Sequence, residues 1–125
     1  EKLVPPPGVQ AIRLEPSDQA IGIACVSDRD AVFLLGADGK GILRSMENFL
    51  ANKAPGAGGK QALNTTELAA VRAIRPGEDI FIITRLSKVI RFSATDVPVK
   101  DGVVQGVVCI SLRADQPLAV TSCPV

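Results

Sequence analysis

The sequence predicts an all-β fold, two propeller-like blades of four strands each, forming part of a disc or a disc that several copies complete. Three observations carry this. First, the chain nearly repeats itself. Ala31-Val-Phe-Leu-Leu-Gly-Ala-Asp-Gly-Lys40 is echoed by Asp79-Ile-Phe-Ile-Ile-Thr-Arg-Leu-Ser-Lys88 at an offset of 48, and Gly59-Lys-Gln-Ala-Leu63 by Gly106-Val-Val-Cys-Ile110 at 47. Leu14-Glu-Pro-Ser-Asp18 returns as Leu112-Arg-Ala-Asp115, one residue shorter. Self-similarity at such a period marks a repeat architecture, which works through an extended surface rather than one pocket. Second, the apolar runs are short and continuous, the pattern of strands buried on both faces. Third, aromatics are only 3%, four Phe with no Trp or Tyr, so the core must be built from Ile, Leu, Val and Ala.

In chain order, Glu1-Lys-Leu-Val-Pro-Pro-Pro-Gly8 reads as an extended linker, because consecutive prolines favour an extended backbone and cannot join a central strand. A first blade repeat follows over 9–66 and a second over 67–125, together one compact domain. Expected strands are Ala11–Leu14, Ala20–Val26, Ala31–Leu35, Gly41–Arg44 and Lys60–Leu63, then Leu68–Ile74, Asp79–Thr84, Lys88–Phe92, Val104–Leu112 and Pro117–Thr121. Asp38-Gly39 is a hairpin signal, since both residue types tolerate the positive φ of a tight turn. Arg75-Pro-Gly77 and Pro55-Gly-Ala-Gly-Gly59 mark further turns. Ser45–Ala54 carries Met46, Phe49 and Leu50 at helical spacing, but Pro55 and the glycines cut it short, and no helix is expected there.

At 125 residues the chain can bury one real core. Its single Met46 and its start at Glu1 suggest a piece of something longer. No stretch has the length of a membrane-spanning helix, and no charged-then-apolar leader opens the sequence. Cys25, Cys109 and Cys123 are odd in number and widely spaced, which gives no disulfide framework and no metal motif. Each lies in or beside an apolar run, so buried, reduced thiols and a cytoplasmic setting are expected. Gly56-Ala-Gly-Gly-Lys60 lacks the spacing and the hydroxyl residue of a phosphate-cradling loop, and no cofactor is expected. With no histidine to activate a thiol or hydroxyl, the chain is not expected to be an enzyme on its own.

Net charge is only +1, yet the charges are not evenly spread. Between Val32 and Leu63, Lys40, Arg44, Lys53 and Lys60 outnumber Asp38 and Glu47. Between Arg85 and Lys100, Arg85, Lys88, Arg91 and Lys100 face Asp96 alone. Acids collect elsewhere, at Glu15, Asp18, Asp28, Asp30, Glu78 and Asp79. A near-neutral chain can thus present one basic edge to a polyanion. The same charges also serve a plainer role, keeping hairpin edges soluble.

Asp79-Ile-Phe-Ile-Ile-Thr-Arg-Leu-Ser-Lys-Val-Ile-Arg-Phe92, then Asp96-Val-Pro98, Gln105-Gly-Val-Val108 and Leu112-Arg-Ala-Asp115, resembles one blade of the C-terminal domain of the bacterial type IIA topoisomerase A protein, the gyrase and topoisomerase IV family. Phe33 through Arg44 and Gly58-Gly-Lys60 resemble the preceding blade, and the likeness covers about residues 9 to 121. The resemblance implies a β-pinwheel whose basic rim binds or bends duplex DNA, without sequence preference. It also implies a bacterial, nucleoid-associated setting, and a partner in the rest of a topoisomerase A protein. Carried over position by position, the rim would comprise Lys40, Arg44, Lys60, Arg85, Lys88 and Arg91. Ser87 stands where the family has a turn glycine, and Ala54-Pro-Gly-Ala57 where the gyrase box has arginines, so gyrase-style wrapping is not expected. The family cuts DNA through a tyrosine, which this chain lacks.

Two functional readings follow. One is a DNA-binding module that reads phosphate and shape; the other is a protein-interaction or assembly module that kept the blade fold and lost DNA binding. Two blades also leave open strand edges, so a homo-oligomer, at least a dimer at high concentration, is expected.

Overall fold

The computed structural model describes residues 7–51 and 54–124. Most of the proline-rich opening, together with Asn52, Lys53 and Val125, lies outside these residues. Within them the chain forms seven strands: β1 (Ala31–Gly36), β2 (Lys40–Ser45), β3 (Leu68–Ile74), β4 (Glu78–Thr84), β5 (Val89–Ser93), β6 (Val107–Val108) and β7 (Pro117–Pro124). All pairings between them are antiparallel. One sheet runs β3-β1-β2-β6 and the other β5-β4-β7.

The two sheets repeat each other in detail. Phe33 faces Leu43 across β1–β2, and Phe81 faces Arg91 across β4–β5. The register slips at Leu35/Gly36 against β3 and again at Ile83/Thr84 against β7, at equivalent positions. After each hairpin a serine caps a single 3-10 turn: Ser45 accepts from the Glu47 N–H before Met46–Asn48, and Ser93 from the Thr95 N–H before Ala94–Asp96. The helical spacing seen at Ser45–Ala54 thus yields one 3-10 turn. Proline and glycine follow too soon for more.

The repeats are interleaved rather than laid end to end. Leu68–Ile74 belongs to the first sheet, paired with β1, and Arg75-Pro-Gly77 carries the chain across to the second. Val107–Val108 also returns to the first sheet, on the free side of β2, and Leu43 bridges Val99 just beside it. The sheet boundary therefore does not fall at residue 66. Four expected strands are shorter or missing for want of partners. Arg13 makes a lone bridge to Gly58, Ala20–Val26 and Lys60–Leu63 have no ladder, and Val104–Leu112 keeps only two paired residues.

Strand alternation sorts the apolar residues into two clusters. Phe33, Leu35 and Leu43 point from the first sheet at Ile80 and Ile82 of the second, with Ile74, Ala94, Val97 and Ile110 completing the core. Phe33 and Phe92 meet edge to face with centroids 6.4 Å apart. The other face of β1 and β2 places Leu34 and Ile42 against Leu63, with Val71 and Val104 at the margin. β1 is thus buried on both faces, as its unbroken apolar run predicts. Each fully buried Ile or Leu contributes about 1.5–3 kcal/mol. The thiols depart from expectation: Cys25 is exposed, since its segment lacks a partner strand, while Cys109 and Cys123 are half-buried.

Candidate nucleic-acid interface

The β4–β5 turn is the best-built basic feature. The Thr84 N–H donates to Lys88 O at 2.9 Å, the Ser87 N–H to Thr84 O at 3.1 Å and the Lys88 N–H to the Thr84 hydroxyl at 3.1 Å. From below, the Arg85 N–H donates to Gln116 O at 3.0 Å and the Leu86 N–H to Asp115 Oδ1 at 3.1 Å. The backbone is therefore fixed while the Arg85 and Lys88 side chains stand exposed. Burial pushes the Asp115 carboxyl up, but hydrogen bonds from Thr84, Gln116 and Leu86 and the charge of Lys88 outweigh it, leaving the group below the usual carboxylate range.

Ser87 takes the left-handed conformation, φ 64°, that Gly39 takes at 85° in the first turn. The difference in residue type has a local cause. A Cβ on Gly39 would lie 2.4 Å from Ile110 O, so the first turn requires glycine, whereas the second tolerates serine with some strain. Lys40 follows the first turn, half-buried, in register with Val108. It occupies the position in β1–β2 that Lys88 occupies in β4–β5.

Arg44 must be removed from the expected rim. Its side chain is fully buried, and on β2 it shares a face with Ile42, which faces the apolar cluster. Nη1 donates to Gly102 O at 2.7 Å and to Ala62 O at 3.4 Å, and Nη2 to Asn48 Oδ1 at 3.2 Å. Asn48 donates onward to Asp101 Oδ1 at 3.1 Å. The guanidinium lies 5.6 Å from the Phe49 ring centroid. Arg44 thus ties loops of both repeats together and offers nothing to a ligand at the surface.

Lys60 is held at Asn48, beyond the end of β2 opposite Lys40, and the strand between spans roughly 17 Å. It is exposed, donates to Asn48 O at 2.9 Å and sits 5.9 Å from the Phe49 centroid. Its loop is docked by the Arg13 N–H to Ala57 O at 3.0 Å and the Gly56 N–H to Ala11 O at 3.1 Å. A cleft of about 890 Å³ opens between this loop and Phe49-Leu50. Arg13, absent from the expected set, places its guanidinium beside Gly58, two residues from Lys60. Nothing local in the sequence signals that pairing, because it depends on the loop folding back. Arg91 is half-exposed; its Nε meets Asp79 Oδ2 at 2.7 Å and its guanidinium lies 5.3 Å from the Phe81 centroid. That hydrogen bond holds the guanidinium pKa above its ordinary value.

The expected six therefore separate into an anchored turn (Arg85, Lys88) with its repeat mate Lys40, a loop lysine (Lys60), a neutralised arginine (Arg91) and a buried one (Arg44). No known family model matches the chain. Among curated proteins, 110 residues are 32% identical to the DNA gyrase A protein of Ureaplasma parvum and 118 residues are 33% identical to that of Metamycoplasma arthritidis, covering 85% and 90% of this chain. The Thermotoga maritima gyrase A protein is 26% identical over 113 residues. This chain is a homologue of DNA gyrase A. It spans only 13–14% of the length of those relatives. Its fold is that of the solved DNA gyrase A C-terminal domain, with a TM-score of 0.83 at 18% identity over 92% of this chain and 41% of that one. The topoisomerase IV C-terminal domain follows at 0.76 and 15% identity, covering 92% of this chain and 38% of that one. The architecture is accordingly a β-pinwheel of the gyrase A type, carried on two antiparallel sheets.

Proposed function

We propose that this chain is a non-catalytic DNA-binding module that grips the duplex backbone without reading sequence. Lys40, Lys60, Arg85 and Lys88 supply the phosphate contacts, and Arg91 joins them when it leaves Asp79. The observation that carries this reading is homology to DNA gyrase A combined with a braced turn that presents Arg85 and Lys88 to solvent. A rigid turn loses little entropy on meeting a phosphate, so two cations there are worth more than two on a loose loop. The four Phe rings are buried or half-buried and leave no aromatic wedge for base steps, which favours phosphate and shape readout. The expected localisation follows from the same reading: a bacterial, DNA-associated protein working alongside the rest of a topoisomerase A protein. No helix among the described residues is long and apolar enough to cross a membrane.

Binding of a short duplex across a salt series tests the proposal. Four phosphate contacts give a log–log slope of about −3.6, and Arg85→Ala with Lys88→Ala reduces its size by about 2. A second reading, an assembly module without DNA affinity, draws on the burial of Arg44 and the pairing of Arg91, which thin the rim. No binding even at low salt would establish it and end the first.

A further inference from the structure

Gly36-Ala-Asp-Gly-Lys40 and Thr84-Arg-Leu-Ser-Lys88 are one turn built from different residues. Each has a backbone bond from its fourth residue to its first, Gly39 N–H to Gly36 O at 3.0 Å and Ser87 N–H to Thr84 O at 3.1 Å. Each is tied down at its second residue, Ala37 N–H to Glu67 O at 2.9 Å and Arg85 N–H to Gln116 O at 3.0 Å. They differ in what receives the lysine N–H. Lys40 donates to Asp38 Oδ1, on the third residue, while Lys88 donates to the Thr84 hydroxyl, on the first, both at 3.1 Å. The two solutions exclude each other, because a Cβ on Gly36 would come 2.8 Å from Asp38 Oδ1.

With threonine in the first position, the third is released from holding the turn together. Turns ordinarily place a polar residue or glycine there. This one holds Leu86, 59% exposed. A lone surface leucine is ordinary in itself, but its setting is not. The Leu86 N–H is fixed by Asp115 Oδ1 at 3.1 Å, so the side chain leaves from a rigid tip. Arg85 and Lys88 stand exposed on either side of it. The same Asp115 oxygen also accepts the Gln116 N–H at 2.8 Å, so this carboxylate is occupied within the turn. Val89 and Leu118 are as exposed, but they sit in strands rather than at a tip.

We propose that Leu86 is a wedge that enters a base step of the duplex through the minor groove, while Arg85 and Lys88 hold the bordering phosphates. The proposal rests on the backbone-binding reading above and adds to it a point of deformation. The minor groove is roughly 6 Å wide, so one leucine can reach a base step while cations beside it reach phosphate. An aliphatic group inserted between base pairs partly unstacks them and kinks the duplex. The deformation is easiest at pyrimidine–purine steps and at unpaired bases, so the module favours deformable DNA without hydrogen-bonding any base edge.

The test titrates the full 125-residue chain into two short duplexes that differ only by a central bulge of unpaired adenines. The parent binds the bulged duplex about tenfold more tightly, because the unstacking is already made. Leu86→Ala binds the two alike and keeps the salt slope that counts phosphates, and Leu86→Met restores the preference. With 2-aminopurine at a central T-A step of the intact duplex, fluorescence rises about twofold with the parent and stays flat with Leu86→Ala. The exposure of Leu86 leaves the alanine variant folded, checked by an unchanged urea midpoint. Salt-dependent binding with no preference between the duplexes would overturn the wedge, leave the backbone reading standing and free Leu86 for a protein contact. A preference that survives Leu86→Ala would overturn it too, by assigning the unstacking to another group. Failure to bind either duplex at low salt would end both readings.

Discussion

Replacing Arg44 by methionine separates a rim residue from an internal tie. The change keeps much of the stem's volume and removes the guanidinium. The short bond to Gly102 O is charge-assisted and contributes about 2 kcal/mol; the bond to Asn48 about 1, and the long one to Ala62 less. Stacking on Phe49 adds about 1 kcal/mol. Against these stands the cost of holding a guanidinium out of water, of which Nε, buried without a partner, is one part. A net loss of about 2–3 kcal/mol is expected, read as a lower midpoint in urea unfolding at unchanged slope. DNA affinity, measured where the variant is still folded, stays within twofold of the parent. A variant that keeps its urea midpoint but loses affinity and salt dependence, the outcome expected of Lys88→Ala, would refute the assignment of Arg44 to the interior.

Asp79→Asn frees Arg91 and removes a nearby negative charge, so duplex affinity rises and the salt slope steepens by about one; an unchanged slope would mean Arg91 never meets phosphate. Ser87→Gly relieves a left-handed serine and raises stability by about 0.5–1 kcal/mol, measured by thermal unfolding, with no change in the hairpin register. Burial pushes the Cys109 thiol up to about 11 from 9.0. The unfolded chain therefore loses this proton first, so the contribution is intact below pH 9 and lost as pH rises towards 11. With partial solvent access the loss is about 1 kcal/mol, and Cys109→Ala flattens the stability curve in that window.

The parts of the fold legible in the sequence are those set locally. Asp38-Gly39 and the paired apolar runs define the β1–β2 hairpin, and its echo defines β4–β5. What local pattern could not reveal is which sheet a strand joins. Leu68–Ile74 reads identically whether it closes the first blade or opens the second, and β6 is two residues long because only Val107 and Val108 reach β2 before Cys109 and Ile110 turn to Gly39. The burial of Arg44 did carry a signal. It lies two residues from Ile42, on the apolar face of a strand with period two, whereas Arg91 has the opposite parity and faces outward from Ile90 and Phe92. Transfer by family position alone overrode that alternation. Arg85 and Lys88, by contrast, sit in a turn, where exposure follows from the turn itself.

Interleaving also decides how the chain can be divided. Cutting at residue 66 would strip β1 of β3 and expose the β2 edge that Val99 and β6 cover. It would also sever Arg44 from Gly102 and split the core in which Phe33 meets Ile80 and Phe92. Residues 67–124 alone would retain the β5-β4-β7 sheet, but with Ile80 and Ile82 facing water instead of the first sheet. A three-stranded sheet with one bare face sits at the margin of independent stability. Neither half is therefore expected to unfold cooperatively by itself, and mixing them should restore a single transition in circular dichroism. A cooperative transition from residues 9–66 in isolation would show that the first repeat is a self-sufficient blade, and that the strands it borrows from the second are dispensable.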